Sequence, residues 1–161
     1  MSVFKSQFSR ALAVIKSDNA DVPFPAEVKS GTNTSAVTNQ LVDSAGDFIN
    51  AGVKTGDIVY NTTDGLAATV VSVTSATVIV LNADIFAASA KAYIIYQASP
   101  QTTIGNQGCN LYIGGAGNVK VTTIGGDIVT FTAPTLGQVL PVQVIKLHST
   151  GTSATLINAL W

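Results

Sequence analysis

β-Branched side chains restrict the fold of this chain more than any other feature of its sequence. Among 161 residues there are 19 Val, 13 Ile and 19 Thr. Two heavy atoms on Cβ make these side chains stiff at χ1, and they suit a pleated strand better than a helix. Short runs of them, such as residues 66–73 and 92–96, are separated by polar turn segments. The sequence therefore predicts an all-β fold of short antiparallel strands.

The charge content argues against several classes of function. Charged residues make up 11% of the chain and the net charge is −1, whereas roughly 25% is typical of soluble domains. A protein that neutralises nucleic-acid phosphates needs a basic surface, so we expect no nucleic-acid partner. No run approaches the roughly 18 apolar residues of a membrane span, so we expect no membrane partner. One Cys and one His cannot form a structural zinc site, and no cofactor is predicted.

Turn-forming stretches divide the chain into an arm and two units. Pro23 and Pro25 end any helix that begins in the arm. The stretch from Lys29 to Asn39 is rich in Gly, Ser, Thr and Asn, which predicts a linker or an exposed loop. A small antiparallel barrel is expected from about Gln40 to Tyr96. The last unit, residues 109–161, shows a hairpin pattern of short strands and glycine turns.

The arm carries an amphipathic pattern. Its large apolar residues fall at i, i+4, i+8 and i+11, and they are Phe4, Phe8, Leu12 and Ile15. This spacing places them on one face of a helix, which would be marginal at this length unless the face were covered. We therefore expect a helical or extended arm that docks on the body of the protein or on a partner. The composition of residues 1–17 also overlaps with that of an organelle transit peptide.

Two groups of residues invite a catalytic or nucleotide-binding interpretation. The glycine-rich stretch from Gly114 to Gly117 is followed by a strand pattern rather than a helix, which predicts a β-turn and not a phosphate site. Cys109 and His148 could form a nucleophile and its base, but nothing nearby in the sequence suggests an oxyanion hole. We predict a buried thiol and a partly exposed histidine, and no catalytic residue.

Two close pairs of aspartates are the remaining candidates. Asp18 and Asp21 are the first place to look for an incidental metal ion between subunits, although a calcium loop needs a longer series of oxygen ligands. Asp43 and Asp47 are explained by a capping box that opens a short helical turn, with Gly52 as its end. The sequence thus predicts no resident metal.

Several separated stretches of the last unit resemble a known family. They are Cys109-Asn-Leu-Tyr-Ile-Gly-Gly-Ala-Gly-Asn-Val-Lys-Val, Gly126-Asp-Ile-Val-Thr-Phe, Leu140-Pro-Val-Gln-Val and Ile157-Asn-Ala-Leu-Trp. In their order they look like the C-terminal module of small virion proteins of tailed bacteriophages and gene transfer agents, which include spike-base and head-decoration proteins. The stretch Ala11-Leu-Ala-Val-Ile-Lys-Ser-Asp-Asn-Ala-Asp-Val-Pro resembles the segment that begins this module in the same family.

The resemblance implies a specific arrangement of the chain. Residues 1–28 would hold the arm and the first segment of the C-terminal module, residues 29–98 an inserted β module, and residues 99–161 the rest of the C-terminal module. The inserted part, from Asn39 to Phe48 and from Gly52 to Gly65, is similar to a small β module found in phage structural proteins. The expected fold is thus all-β, with two small antiparallel modules, one inserted in the other.

The resemblance also implies a non-enzymatic virion structural protein. We expect it to be made in the host cytoplasm and to bind the major capsid protein on the outside of an assembled phage head, as a decoration (cement) protein or the base of a head spike. It would associate with itself as a trimer or dimer. The predicted partner-binding residues are Phe4, Phe8 and Leu12 of the arm and Trp161, although Trp161 can instead close the protein's own core.

Two other functions stay open. A spike or tail component could bind host-surface glycans by stacking sugars on its tyrosines, which are Tyr60, Tyr93, Tyr96 and Tyr112. Their strand positions predict that at least two of them are buried. An enzyme would require Cys109 and His148 to be in contact.

Overall fold

A computed structural model, which describes residues 8–98 and 108–161, confirms the all-β prediction. Within these residues the strands are β1 (Ala11–Ala13), β2 (Glu27–Thr32), β3 (Ser35–Val37), β4 (Gln40–Val42), β5 (Ile58–Asn61), β6 (Leu66–Val73), β7 (Val78–Leu81), β8 (Ala92–Tyr96), β9 (Asn110–Ile113), β10 (Val119–Thr123), β11 (Ile128–Phe131), β12 (Val144–Leu147) and β13 (Ile157–Leu160). One short helix, α1, spans Phe48–Ala51. All strand pairs are antiparallel, in three sheets.

The middle region, residues 27–98, is a curled seven-stranded sheet in the order β2-β8-β5-β6-β7-β4-β3. Its core is built from aliphatic side chains and three aromatic rings. The Tyr93 ring lies 6.2 Å from that of Phe48 and 6.4 Å from that of Phe86, in tilted and edge-on arrangements. Such geometries are the favourable ones for aromatic pairs. Asp43 is buried here and accepts a hydrogen bond from the Tyr93 hydroxyl at 2.7 Å.

The terminal region, residues 8–22 and 108–161, contains two three-stranded sheets, β1-β13-β9 and β11-β10-β12. Bridges from Cys109 to Val144 and from Tyr112 to Val139 connect the two sheets. Their inner faces enclose a second core, separate from that of the middle region. Its fully buried members include Leu111, Ile113, Val119, Val121, Val144 and Ala159.

The first segment of the chain is part of this terminal region. β1 pairs with β13, and Ala11 lies opposite Leu160. Farther along, the amide of Val22 donates to the Ile145 carbonyl at 2.8 Å, and the Val22 side chain lies in the second core. The chain thus leaves the terminal region after Val22 and rejoins it at the Cys109 bridge. No strand pairing joins the two regions among the described residues.

A small third cluster lies where the two regions meet. Its buried members are Ala20, Ile58, Tyr60 and Ala67, with Leu12, Ile15 and Tyr96 packed against them. Hydrogen bonds reinforce the contact, because the Ser17 hydroxyl donates to the Ala67 carbonyl at 2.8 Å. The first segment therefore contributes both to the second core and to the contact between the two regions.

Some local predictions from the sequence are wrong. The helical form of the arm is wrong for Ala11–Ala13, which is extended because it pairs with β13; Phe4 lies outside the described residues. The loop predicted from Lys29 to Asn39 contains β2 and β3 instead. These two strands are edges of the sheet, so neither shows the buried alternation that marks a strand in sequence.

The predicted capping box is also wrong. Asp47 has a left-handed backbone, with φ of 46°, and its side chain makes no capping hydrogen bond to α1. Asp43 instead accepts from the amide of Ala45 at 2.9 Å, which is the geometry of an Asx-turn. Gly52 does end the helix, in the left-handed conformation that glycine adopts without strain.

Candidate docking surface

The outer face of the sheet β1-β13-β9 is an uncharged surface of the terminal region. Ile157 and Ala159 of β13 lie opposite Ile113 and Leu111 of β9, and all four point into the core. Because side chains alternate along a strand, their neighbours point outward. This surface, which we call the Tyr112 face, consists of Ala11, Ala13, Asn110, Tyr112, Val139, Asn158 and Leu160.

The Tyr112 face has features of a protein-binding surface. None of its seven residues is charged, so covering it would desolvate no ion. The side-chain amide of Asn110 already donates to the carbonyls of Leu140 and Val142, at 3.0 and 3.2 Å. Tyr112 is 36% exposed, and the neighbouring loop carries Leu136 at 57% exposure. Aromatic residues are enriched and charges depleted at the centres of protein interfaces.

The charges of the terminal region are concentrated in its first segment, where residues 8–22 contain Arg10, Lys16, Asp18 and Asp21. Residues 108–161 contain three charged residues, Lys120, Asp127 and Lys146, whereas residues 27–98 contain nine. Exposed large apolar side chains show the opposite trend. In residues 108–161 they are Tyr112, Ile124, Ile128, Val129, Leu136 and Leu156, and in residues 27–98 they are Val37, Ile49, Leu66 and Val71.

The four residues predicted to bind a partner have different surroundings. Phe8 is 41% exposed. Leu12 is half-buried against the third cluster, and Trp161 is half-buried against the second core. The Trp161 ring also meets the ring of Phe24 edge-on, with 6.1 Å between centroids. Phe4 lies outside the described residues. Of the three that are described, Phe8 is the only one in the exposed class.

Cys109 and His148 have separate environments. The thiol of Cys109 is buried and donates to the Val144 carbonyl at 3.4 Å, and burial raises the pKa of this thiol to about 12. His148 lies four residues beyond Val144, about 13 Å along an extended strand. Its ring nitrogens contact the Thr122 hydroxyl at 2.8 Å and the Asp18 carboxylate at 3.3 Å. A neutral thiol without a neighbouring base is a poor nucleophile.

Asp18 connects the first segment to the turn that follows β12. Its carboxylate accepts hydrogen bonds from the hydroxyls of Ser149 and Thr150, both at 2.6 Å, and from the Thr150 amide. These hydrogen bonds, that of Ser149 above all, hold the pKa of Asp18 well below its usual range. The other aspartate of the pair, Asp21, lies 3.5 Å from the ammonium of Lys146.

The carboxylate of Asp18 is therefore occupied by protein donors. Among the described residues, no group of three His, Cys, Asp or Glu side chains is placed to hold a metal ion.

The glycine-rich stretch forms a turn that is bonded to the chain before β13. The amide of Gly114 donates to the Leu156 carbonyl at 3.0 Å, and that of Gly115 to the Thr155 carbonyl at 2.8 Å. These amides are consequently not available to bind a phosphate. The segment to which they donate includes Leu156, which has a φ of 51°. This backbone conformation is unusual for leucine, and the Leu156 side chain is 74% exposed.

The sequence carries a local signal for the Tyr112 face. From Asn110 to Ile113 the apolar Leu111 and Ile113 alternate with Asn110 and Tyr112, so one strand period predicts that Tyr112 points outward. The shortage of charges after residue 108 is equally visible. The neighbours of Tyr112 were not predictable, because they depend on the pairing of β9 with two segments distant in sequence.

No helix in the described part of the chain is long and apolar enough to cross a lipid bilayer. Comparisons of the chain with protein families, with curated proteins and with solved structures find no match.

Proposed function

We propose that the chain is a non-enzymatic virion structural protein that binds the outside of an assembled phage capsid. It would act as a decoration protein or as the base of a head spike, and it would work as an oligomer. Two arguments support this proposal. The stretches from Cys109 to Val121 and from Ile157 to Trp161 resemble those of virion proteins, and the Tyr112 face offers a surface suited to docking.

The Tyr112 face is the observation that carries the proposal. A protein that coats a finished shell must bind through its surface without covalent chemistry. Buried apolar area contributes about 25 cal/mol per Å², and a tyrosine at the centre of an interface often contributes more than its neighbours. Tyr112 on this face and Leu136 on the neighbouring loop are exposed large apolar side chains that a partner could bury. The small residues Ala11 and Ala13 beside them would allow a close approach.

Co-sedimentation with assembled, mature capsids tests the proposal. The shells are those of the phage or gene transfer agent that carries the gene. We expect saturable binding at a fixed ratio to the major capsid protein. Leu136→Asp should weaken this binding at least tenfold, because it places a charge in the contact. The matched control is Ile49→Asp in the middle region, where Ile49 is 60% exposed.

The two variants separate the outcomes. Ile49→Asp should bind as the unchanged protein does, and circular dichroism should show that both variants are folded. Failure of the unchanged protein to sediment with shells would contradict the proposal. Equal binding by Leu136→Asp would place the contact elsewhere on the molecule.

The alternative function, a spike or tail component that binds host-surface glycans, depends on the same tyrosine. Tyr60 and Tyr93 are buried, whereas Tyr112 is exposed and has Asn158 beside it on the same face. An exposed aromatic ring next to an amide can stack on a sugar and bond its hydroxyls. A glycan array probed with the unchanged protein and with Tyr112→Ala tests this function, and an array without any binder would contradict it.

A further inference from the structure

β11 lies at the edge of a sheet and is paired on one side. It pairs only with β10, and the sheet order β11-β10-β12 leaves its other side open among the described residues. Both faces of the strand are exposed at Ile128, Val129 and Thr130. An open edge of this kind can accept a further strand.

The hairpin geometry identifies the main-chain groups that point to the open side. The amide of Thr123 donates to the Asp127 carbonyl at 2.9 Å, so these two residues form a hydrogen-bonded pair. In an antiparallel ladder such pairs alternate with non-bonded pairs. Val129 therefore bonds to β10, whereas the amides and carbonyls of Ile128 and Thr130 point outward.

β11 also lacks the features that protect other edges. Natural edge strands are usually blunted by charges, prolines or bulges. Of the two edge strands of the middle region, β2 carries Glu27 and Lys29 and has an irregular register between them, and β3 is only three residues long. β11 has the sequence Ile-Val-Thr-Phe, with no charge, no proline and an unbroken register with β10.

We propose that β11 pairs with β11 of a second copy of this chain, antiparallel about a twofold axis. Ile128 and Thr130, whose main-chain groups point outward, flank Val129. A twofold axis at Val129 therefore brings Ile128 of one copy opposite Thr130 of the other. This register forms four main-chain hydrogen bonds. It makes one six-stranded sheet from two three-stranded ones.

The charges around the strand fit a second copy. In this register Asp127 lies opposite Phe131 of the other copy, and the two Asp127 residues are about 13 Å apart along the strands. Lys120 lies opposite Thr130 within one copy, so three strand spacings, about 14 Å, separate the two Lys120 residues. Both distances exceed the Debye length of about 8 Å at physiological salt. Self-pairing consequently places no like charges in contact.

This inference rests on the proposed function and specifies its self-association. The interface uses β11, which leaves the Tyr112 face free to meet a shell. A dimer of this kind would present two copies of that face. Repeated binding sites on one particle raise the apparent affinity for a repetitive surface.

Analytical ultracentrifugation of the purified full chain tests the inference. We expect a concentration-dependent equilibrium of monomer and dimer. Ile128→Lys should weaken the dimer at least tenfold, and so should Thr130→Pro, which removes an outward amide without affecting the bonds to β10. The matched control is Ile49→Lys, because Ile49 and Ile128 are 60% and 62% exposed. Trp161 fluorescence and circular dichroism check that each variant is folded.

A cysteine variant tests the register itself. Opposite residues in a non-bonded pair have Cα atoms about 4.5 Å apart, within the range of a disulfide. Val129→Cys should therefore give a covalent dimer under mild oxidation, whereas Val71→Cys in the middle region should not. The buried thiol of Cys109 does not interfere.

Several results would overturn the inference. They are a chain that stays monomeric at millimolar concentration, a dimer that survives both Ile128→Lys and Thr130→Pro, or a dimer in which Val129→Cys forms no disulfide. A monomeric chain that still sediments with capsids would overturn the self-pairing alone. A dimer that has these properties but does not sediment with capsids would instead contradict the proposed function.

Discussion

The middle and terminal regions have similar cores but different surfaces. Each encloses a core of fully buried aliphatic side chains between antiparallel strands. The middle region carries nine charges, and one of its two edge strands, β2, has two of them. Residues 108–161 of the terminal region carry three charges and expose six large apolar side chains. A stable β core in this chain does not require a surface poor in charge, and the docking that we propose would explain the surface of residues 108–161.

Truncating one leucine in each core gives the largest effect expected from this comparison. Leu111 and Leu41 are both fully buried, the first in the terminal region and the second in the middle region. Leu111→Ala and Leu41→Ala should each lower the free energy of unfolding by about 2–5 kcal/mol. Hydrogen exchange followed by mass spectrometry should show faster exchange chiefly in the region that carries the change. Equal acceleration in both regions would mean that they unfold as one unit.

A second comparison sets two glycine turns of the terminal region against each other. A Cβ on Gly115 would meet the Thr155 hydroxyl and lie 2.8 Å from the Thr155 carbonyl, whereas one on Gly125 would meet nothing closer than 3.5 Å. Gly115→Ala should therefore destabilise the protein by about 1–3 kcal/mol. Gly125→Ala should leave the midpoint of urea unfolding nearly unchanged. The prediction fails if the two variants unfold at the same urea concentration.

Replacing Asp18 should have a smaller effect on the free energy of unfolding, and this effect depends on pH. The pKa of Asp18 is lowered in the folded protein, so its contribution to stability is fully present above the ordinary pKa of about 4 and is lost as the pH falls toward the folded value. Because the carboxylate is partly exposed, Asp18→Asn should cost about 1 kcal/mol at pH 7. Urea unfolding at pH 7 and at pH 3 measures the change, and the difference between variant and unchanged protein should shrink at pH 3.

Asp64 is the matched carboxylate of the middle region. Its pKa is also lowered, first by a hydrogen bond from Lys91 and then by one from Asn61. Asp64 accepts from two residues, whereas Asp18 accepts from three, so Asp64→Asn should have a smaller effect than Asp18→Asn. Added salt should weaken it further, because Asp64 and Lys91 form a partly exposed ion pair. A larger loss for Asp64→Asn would contradict the comparison.

The last prediction concerns the rate at which the Cys109 thiol reacts. The thiol is buried in the terminal region with a raised pKa, so a disulfide reagent at pH 8 should label the native protein far more slowly than the unfolded one. Leu111→Ala should speed this labelling because it loosens the surrounding core. Leu41→Ala should not, and an increase there would show that the middle region controls access to the second core.

The sequence predicted the well-covered strands better than the edges. The bounds of β6 and β8 were predicted to the residue, because both strands lie inside the sheet between clear turn signals. β2 and β3 were predicted as loop, since an edge strand with exposed polar side chains has no hydrophobic alternation. The apolar run from Val139 to Leu147 is a regular strand only in β12, after Pro141, which lacks the amide that a ladder needs.

The docking surfaces were less predictable than the fold. The helical spacing of Phe8, Leu12 and Ile15 indicated an amphipathic arm, but pairing with β13 makes β1 extended. Pairing with a strand almost 150 residues away in sequence therefore outweighs the helical spacing of these residues. Likewise, nothing near Ile128 in the sequence states that β11 lies at an edge. That position follows only from the order of strands, which is a property of the whole sheet.

The pairing of β1 with β13 also has a consequence for how the chain folds during synthesis. β1 leaves the ribosome early and has no partner until β13 emerges. At roughly 5–20 residues per second this delay is about 7–30 s. The middle region has all its strands meanwhile, so it can fold first and bring the two ends of the terminal region together. Leu12 can meanwhile pack against the third cluster, which contains Ile58, Tyr60 and Ala67 of the middle region. The main-chain groups of β1 stay without a partner strand until β13 emerges, and an unpaired strand is a site for aggregation and chaperone binding.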